Sequence, residues 1–329
     1  MLGKEGFCLF SLPDSKAIHL VVNDQKGEGN ADAQDFIFSP FKPEESSIIF
    51  TQPSIHRDLK QIPPLTFAPE PAVLNPIEWE YDDYITFIEK AQLGFDDQNF
   101  TKVIAARNRF VEKSPDLDLV ALFESLVSNL GYSYSYLFYS PETGVWIGAT
   151  PEVLMQKSGH KLRTMSLAGT KKDSMQWTSK EIEEQEIVTD FISSELYKLG
   201  AKKVEIKEKR ELHSSHIQHL CNDIIADVGN IDSSAIALSL HPTPAISGFE
   251  KPKALQFIEE NEGISRASYA GFLGLMGKSE AELYVNLRCL RVGNTHLELF
   301  AGAGITKDSV AHKEYQETDE KLQTLLQFL

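Results

Sequence analysis

ELYVNLRCLRVGNTHLELFAGAGITKDSVAHKEYQETDEK, residues 282–321, is the stretch on which the reading of this chain turns. Val285, Leu287 and Cys289, then Leu297 and Leu299, recur every second residue, with Gly293-Asn294 between them where a hairpin would turn. The pattern predicts strand, tight turn, strand, a glycine-rich loop at Ala301–Gly304 and a helix. Arg288 interrupts the first strand. The Ala-Gly-Ala-Gly loop leaves backbone amides with little side chain over them. Glu314, Glu317 and Lys321 fall at i, i+3 and i+7, which stacks them on one helix face. A forked cation, bare amides and paired carboxylates suit a small polyanion held with a hard divalent metal. Each piece also has an ordinary reading: a surface arginine, a plain turn, a solvated helix face. Their order in one short module is what favours a site.

At 329 residues the chain is long enough for one large domain or two. A formal net charge of −16 offers no basic footprint to nucleic acid or to an anionic membrane surface. An anionic ligand would therefore need local cations and a metal to attract it. Cys8, Cys221 and Cys289 show neither a CxxC nor a metal-type spacing and read as thiols of a reducing compartment. The first residues lack the apolar core of a signal peptide, and no run reaches the ~18 apolar residues of a membrane span. A cytoplasmic protein is expected.

Outward from that module, residues 1–76 form a leading region. Short apolar runs at Phe7–Leu12, Ile18–Val22, Phe36–Phe38 and Ile48–Phe50 predict strands. The string PPLTFAPEPAVLNP (63–76) cannot hold a helix and predicts an extended connector. A helix is expected from Asn75-Pro76 to about Leu93, then a strand at FTKVIAARNRF (100–110). Lys102 there stands in company apolar enough for a base of lowered pKa, although a strand-edge lysine can also reach water. Ser114-Pro115 is expected to open a second helix. In GATPE (148–152), Glu152 lies between a Thr-Pro corner and an apolar run, where a half-buried carboxyl could act as a general acid or simply end a strand in water. Residues 179–200 predict a helix. Glu184 sits near the middle of its apolar stripe, where a carboxylate wants a cation, although a helix dipole alone also favours a first-turn glutamate. Strands are expected around 203–209 and 217–227, and helices at 233–240 and 252–263. Among them the loop HPTPAISGF (241–249) presents His241 at a helix end.

The order of motifs resembles the chorismate-utilising enzymes, a family of isochorismate, salicylate, anthranilate and aminodeoxychorismate synthases. The residues that carry it are TKVIAAR (101–107), GATPE (148–152), LAGT (167–170), EEQEIV (183–188), HPTPAISGF (241–249), NLRC (286–289), FAGAGI (300–305) and EYQETDEKL (314–322). The likeness runs from roughly residue 80 to the end, and HPTPAISGF is similar to the isochorismate synthase branch. The resemblance implies an α+β fold of two large antiparallel sheets packed face to face with helices outside. It implies a catalytic domain over 77–329, with 1–76 a variable N-terminal region of the same globule. By position, Lys102 matches the base that activates water and Glu152 the general acid. Glu184 and Glu317 match Mg²⁺ ligands, with Glu314 close to the same ion. Arg288, the amides around Gly302, and Lys321 match groups that hold substrate carboxylates. Gly169 matches a backbone contact to substrate, and His241 a histidine near the ring.

The implied reaction is the Mg²⁺-dependent isomerisation of chorismate to isochorismate for menaquinone or siderophore biosynthesis: water attacks ring carbon 2 and the hydroxyl at carbon 4 leaves. Aminodeoxychorismate synthases often carry a lysine where this chain has Ala168, so water or ammonia is the expected nucleophile. Salicylate and anthranilate synthases are the sister activities, and a non-catalytic anion binder is a third reading. A monomer without an amidotransferase partner is expected.

Overall fold

A computed structural model describes residues 5–24, 34–42, 44–63, 77–97, 100–172, 175–214 and 217–329. Five strands come from the leading region: β1 (Phe7–Ser11), β2 (Ile18–Val22), β3 (Asp35–Ser39), β4 (Ile48–Phe50) and β5 (Ser54–Leu59). The proline-rich connector lies, apart from Pro63, outside the described residues, as do Asn75 and Pro76. Helix α1 (Tyr81–Asp97) precedes β6 (Lys102–Glu112). Helix α2 (Leu119–Asn129) starts later than Ser114-Pro115, which only turns the chain. Its cap is Asp118, whose carboxylate accepts from Val120 N at 2.9 Å and Ala121 N at 3.1 Å.

Next come β7 (Tyr134–Ser140), β8 (Gly144–Thr150), β9 (Val153–Ser158), β10 (Lys161–Lys172) and α3 (Ser179–Lys198). The strand expected at 203–209 is the shorter β11 (Lys203–Ile206), and an unexpected β12 (Arg210–Ser214) follows it, both laid along β13 (Ile217–Asp227). The chain closes with α4 (Ser233–Leu240), β14 (Gly248–Phe249), α5 (Lys251–Asn261), β15 (Phe272–Met276), β16 (Glu280–Val285), β17 (Cys289–Val292), β18 (His296–Ile305) and α6 (Ala311–Leu326).

The described strands form two sheets. One has the order β14-β6-β18-β17-β8-β7-β1-β2-β5. The other is β11-β13-β10-β9-β16-β15-β3-β4, with β12 also on β13. Strand β7 is buried on both faces, so apolar and aromatic residues fill both sets of its positions and only Ser135 and Ser140 interrupt them. Phe138 from one face stacks on Phe38 of the opposite sheet at 4.0 Å between centroids. From the other face Leu137 and Tyr139 join Leu122, Phe123 and Leu126 of α2 and Leu322 and Leu325 of α6. Helices α2 and α6 therefore cover one sheet from outside, and α3 packs on β10 and β13 of the other.

The strand expected across 285–289 belongs to neither sheet alone. β16 ends at Val285 in the second sheet and β17 begins at Cys289 in the first. The step between them is held by Asn286, which is fully buried. Its Nδ2 donates to Ser268 O at 2.8 Å, and its Oδ1 accepts from Tyr136 Oη at 2.6 Å. Leu287 N bends back to Val285 O at 2.9 Å, and Arg288 takes a left-handed φ of 46°. A second crossing lies beside it, from β8 through Pro151 and Glu152 to β9. Val285 N donates to Glu152 O at 3.0 Å and Ala149 N to Arg288 O at 3.1 Å, so the two crossings are hydrogen-bonded to each other. Replacing Asn286 by Ala takes the buried acceptor from the Tyr136 hydroxyl and leaves the Ser268 carbonyl with Gly271 N alone. We expect a loss of roughly 2–5 kcal/mol, seen as a lower urea midpoint at unchanged slope. An unchanged midpoint would mean that the backbone bonds alone hold the crossing.

Candidate active site

Both crossings open onto one cavity. Its walls are Ile104 of β6, Phe300, Ala301, Gly302 and Gly304 of β18, Leu167 to Thr170 of β10, His219 of β13, Glu184 of α3, and Glu317 and Lys321 of α6. Pro151, Glu152, Leu287 and Arg288 come from the crossings, and Ala245, Ile246, Tyr269 and Ala270 from loops. The wall is largely apolar, with a few charged groups converging on it, as a small-molecule site requires.

Glu152 is 3% exposed. Burial pushes its carboxyl up to about 8, against the pull of Lys102, Lys321 and Arg288. It is therefore a protonated carboxylic acid at neutral pH. Arg288 is also buried, and burial pulls its guanidinium down. One terminal nitrogen, Nη2, lies 2.7 Å from His219 Nε2, while Nη1 has no hydrogen-bond partner. A buried cation with a spare donor on a cavity wall is a site for an anion.

His219 was not singled out by sequence reasoning, although a histidine inside the apolar strand IQHLC was the available signal. Burial, Arg288 and Lys321 hold it well below its usual pKa, so it is neutral. Because Arg288 donates to Nε2, the ring proton sits on Nδ1, which is 3.2 Å from Gly169 O. The guanidinium is thereby tied through His219 to the backbone of β10. Gly169 lies at a bulge with φ 69°, and a Cβ there would meet Glu181 O at 2.8 Å. Only glycine lets β10 lie so close to the start of α3.

Lys102 is fully buried and one layer behind the wall, with Nζ 2.9 Å from Glu184 Oε1. Burial raises the Glu184 carboxyl, but Lys102 and Lys180 outweigh it and hold the group below the usual range. Gln185 fixes this turn of α3: its side-chain amide donates to Ser166 Oγ at 3.0 Å and to Asn222 Oδ1 at 2.5 Å. The expected loop Ala301–Gly304 is instead the end of β18, paired with Arg107–Ile104 of β6. Its small residues make space. A Cβ on Gly304 would lie 2.1 Å from Glu184 Oε1 and 3.1 Å from Lys102 Cε. Gly302 O accepts from Lys321 Nζ at 2.7 Å. Along an antiparallel strand the N–H and C=O of one residue point the same way, so the Gly302 amide shares that open side.

Helix α6 is set by Arg107, which donates from Nε to Thr318 Oγ1 at 2.6 Å, pairs with Asp319 and covers the Tyr315 ring. Glu317 and Lys321 then face the cavity and pair with each other at 2.8 Å. Glu314, one turn earlier, faces an adjoining groove and pairs with Lys180 Nζ at 2.5 Å. Its carboxyl is raised, by burial first. Glu184, Glu314 and Glu317 offer only hard oxygen donors, and the absence of a Cβ on Gly304 lets the Glu184 carboxylate reach the cavity wall, so the chemistry fits a divalent cation. Among the described residues no three acidic, histidine or cysteine side chains already converge as ligands.

His241 is placed elsewhere. It is buried, its Nε2 donates to Phe41 O at 3.1 Å, and its ring stands edge-on to Phe272. Burial pushes it down to about 4. It does not line the cavity. Its place is to brace the loop that delivers Ala245 and Ile246 to the wall, and Arg266 Nη1 fixes that loop through Ile246 O at 2.8 Å. Tyr269, also not anticipated, lines the cavity and stacks on Phe300 with ring centroids 5.3 Å apart.

Over 247 residues the chain is 28% identical to the vibriobactin-specific isochorismate synthase of Vibrio cholerae, covering 70% of this chain and 62% of that one. This chain thus spans about six-tenths of that relative's length. Isochorismate synthase EntC of Escherichia coli is 25% identical, covering 95% of this chain and 85% of its own. The solved structure of MenF, the menaquinone-specific isochorismate synthase of Escherichia coli, shares the fold with a TM-score of 0.84 at 20% identity, covering 100% of this chain and 89% of that one. Among the described residues no helix is long and apolar enough to cross a membrane. The profile of the family described as chorismate binding enzyme matches residues 45–329, and the chain belongs to that family.

Proposed function

We propose that this chain is an isochorismate synthase, adding water at ring carbon 2 of chorismate and releasing the hydroxyl at carbon 4. The reading is carried by Glu152, a carboxyl kept protonated up to about pH 8 on the wall of a cavity whose arginine still has an unpartnered donor. Two curated relatives bear that activity in their names.

Arg288, tied by His219, grips a substrate carboxylate, and Lys321 with the Gly302 amide holds the second anionic end. Apolar contacts from Leu287, Ile246 and Tyr269 take the ring. Glu152 gives its proton to the departing hydroxyl, which would otherwise leave as hydroxide. Lys102 is the base for the attacking water, which requires the ammonium paired with Glu184 at 2.9 Å to release its own proton first. Mg²⁺ held by Glu184 and Glu317, with Glu314 beside them, would supply a Lewis acid that draws electron density from the diene through the ring carboxylate. Residues 1–76 act as part of the same catalytic globule, and no amidotransferase subunit is needed because water is the nucleophile. His241 positions its loop and does not touch substrate.

Supplied with chorismate and Mg²⁺ but no amine, the protein should release isochorismate. Salicylate with pyruvate, or no product until ammonia is added, would assign it to a sister activity. Because the acid works protonated, kcat should hold below about pH 8 and fall as pH rises through it. Glu152→Gln should lower kcat by roughly 10²–10⁴-fold and abolish that limb; a limb that survives belongs to another group. Arg288→Ala should raise KM for chorismate more than Lys321→Ala, since a guanidinium can make two parallel bonds to a carboxylate. Equal, small changes would move the carboxylate elsewhere.

A further inference from the structure

Each of the three acidic groups proposed to hold the metal is engaged by a different lysine: Glu184 by Lys102, Glu317 by Lys321 and Glu314 by Lys180. Lys102 and Lys321 have work of their own in the proposed reaction. Lys180 has none there. It stands in the first turn of α3, its side chain 23% exposed, on the wall of a groove between α3 and α6. Glu317 lines both that groove and the cavity, so the groove adjoins the catalytic space.

We propose that Lys180 is a tethered cation that holds the carboxylates in the metal-free protein and must leave Glu314 before a divalent ion can settle, so that it sets metal affinity. The inference rests on the metal reading given above. Three carboxylates close together repel one another unless a cation lies among them. Lys180 meets that need by contact with Glu314 at 2.5 Å, and its charge also acts on Glu184. Burial alone would lower its pKa, yet Glu314, Glu184 and Glu317 outweigh it and raise it. The same positive charge opposes an arriving divalent ion.

The test is Mn²⁺ binding to the whole purified protein without chorismate, followed by electron paramagnetic resonance of free Mn²⁺. Lys180→Gln removes the charge and keeps the stem; it should bind Mn²⁺ about tenfold or more tightly than wild type. Lys180→Arg, which keeps the charge, should not. The metal-free Lys180→Gln protein should melt at a lower temperature and be stabilised more by added Mn²⁺. Wild-type binding that Glu317→Gln weakens but Lys180→Gln leaves equal or weaker would overturn the role of Lys180 and keep the metal site. If neither wild type nor Lys180→Gln binds Mn²⁺, the metal reading falls and this inference falls with it.

Discussion

Two antiparallel hydrogen bonds, Val285 N to Glu152 O and Ala149 N to Arg288 O, hold the place where the chain passes twice between its sheets. Within a sheet, a strand residue presents its side chain to one face or the other. At a crossing it presents it to the gap between the sheets. The pair of crossings therefore sets Glu152 and Arg288 on one cavity wall although 136 residues separate them in the chain. The left-handed backbone at Arg288 is held because the surrounding bonds of Asn286 over-determine it. The cavity, the protonated acid and the unpartnered guanidinium all follow from this joint.

Charge is distributed with the same logic. The chain as a whole is strongly acidic, yet the cavity gathers Lys321 and Arg288 on its wall with Lys102 close behind. The carboxylates near it are neutralised in different ways. Glu184, Glu314 and Glu317 each have a lysine in contact. No ion pair reaches Glu152 among the described residues, so burial decides its state and it keeps its proton. His219 is kept neutral by the same burial and by the cations around it, which leaves Nε2 free to accept from Arg288. A field that repels anions at long range thus surrounds a pocket that attracts them at short range.

Several local readings failed for one physical reason. A two-residue period looks the same whichever sheet a strand joins, so 285–289 read as one strand although it is a crossing. Small residues at 301–304 looked like a bare loop because the pattern does not say what lies opposite; β6 lies opposite, and the space is for Glu184 and Lys102. Ser114 is a plausible cap in sequence, but Asp118, four residues further on, directly precedes Leu119 and accepts from the free amides of the first turn. His241 was drawn into the site by its neighbours in the motif, while its ring went to the Phe41 carbonyl.

From the sequence alone came the α+β class, most strands and helices, and the family, because periodicity, turn residues and ordered motifs are local properties. So did Lys102, Glu152, Glu184, Arg288, Glu317 and Lys321 as the residues of interest. Only the tertiary structure decided which of these face one cavity, that Lys102 stands behind its wall, and that His219, Tyr269 and Lys180 belong with them. Burial and charge pairing depend on what the fold brings alongside a side chain from distant parts of the chain, and no local pattern records that.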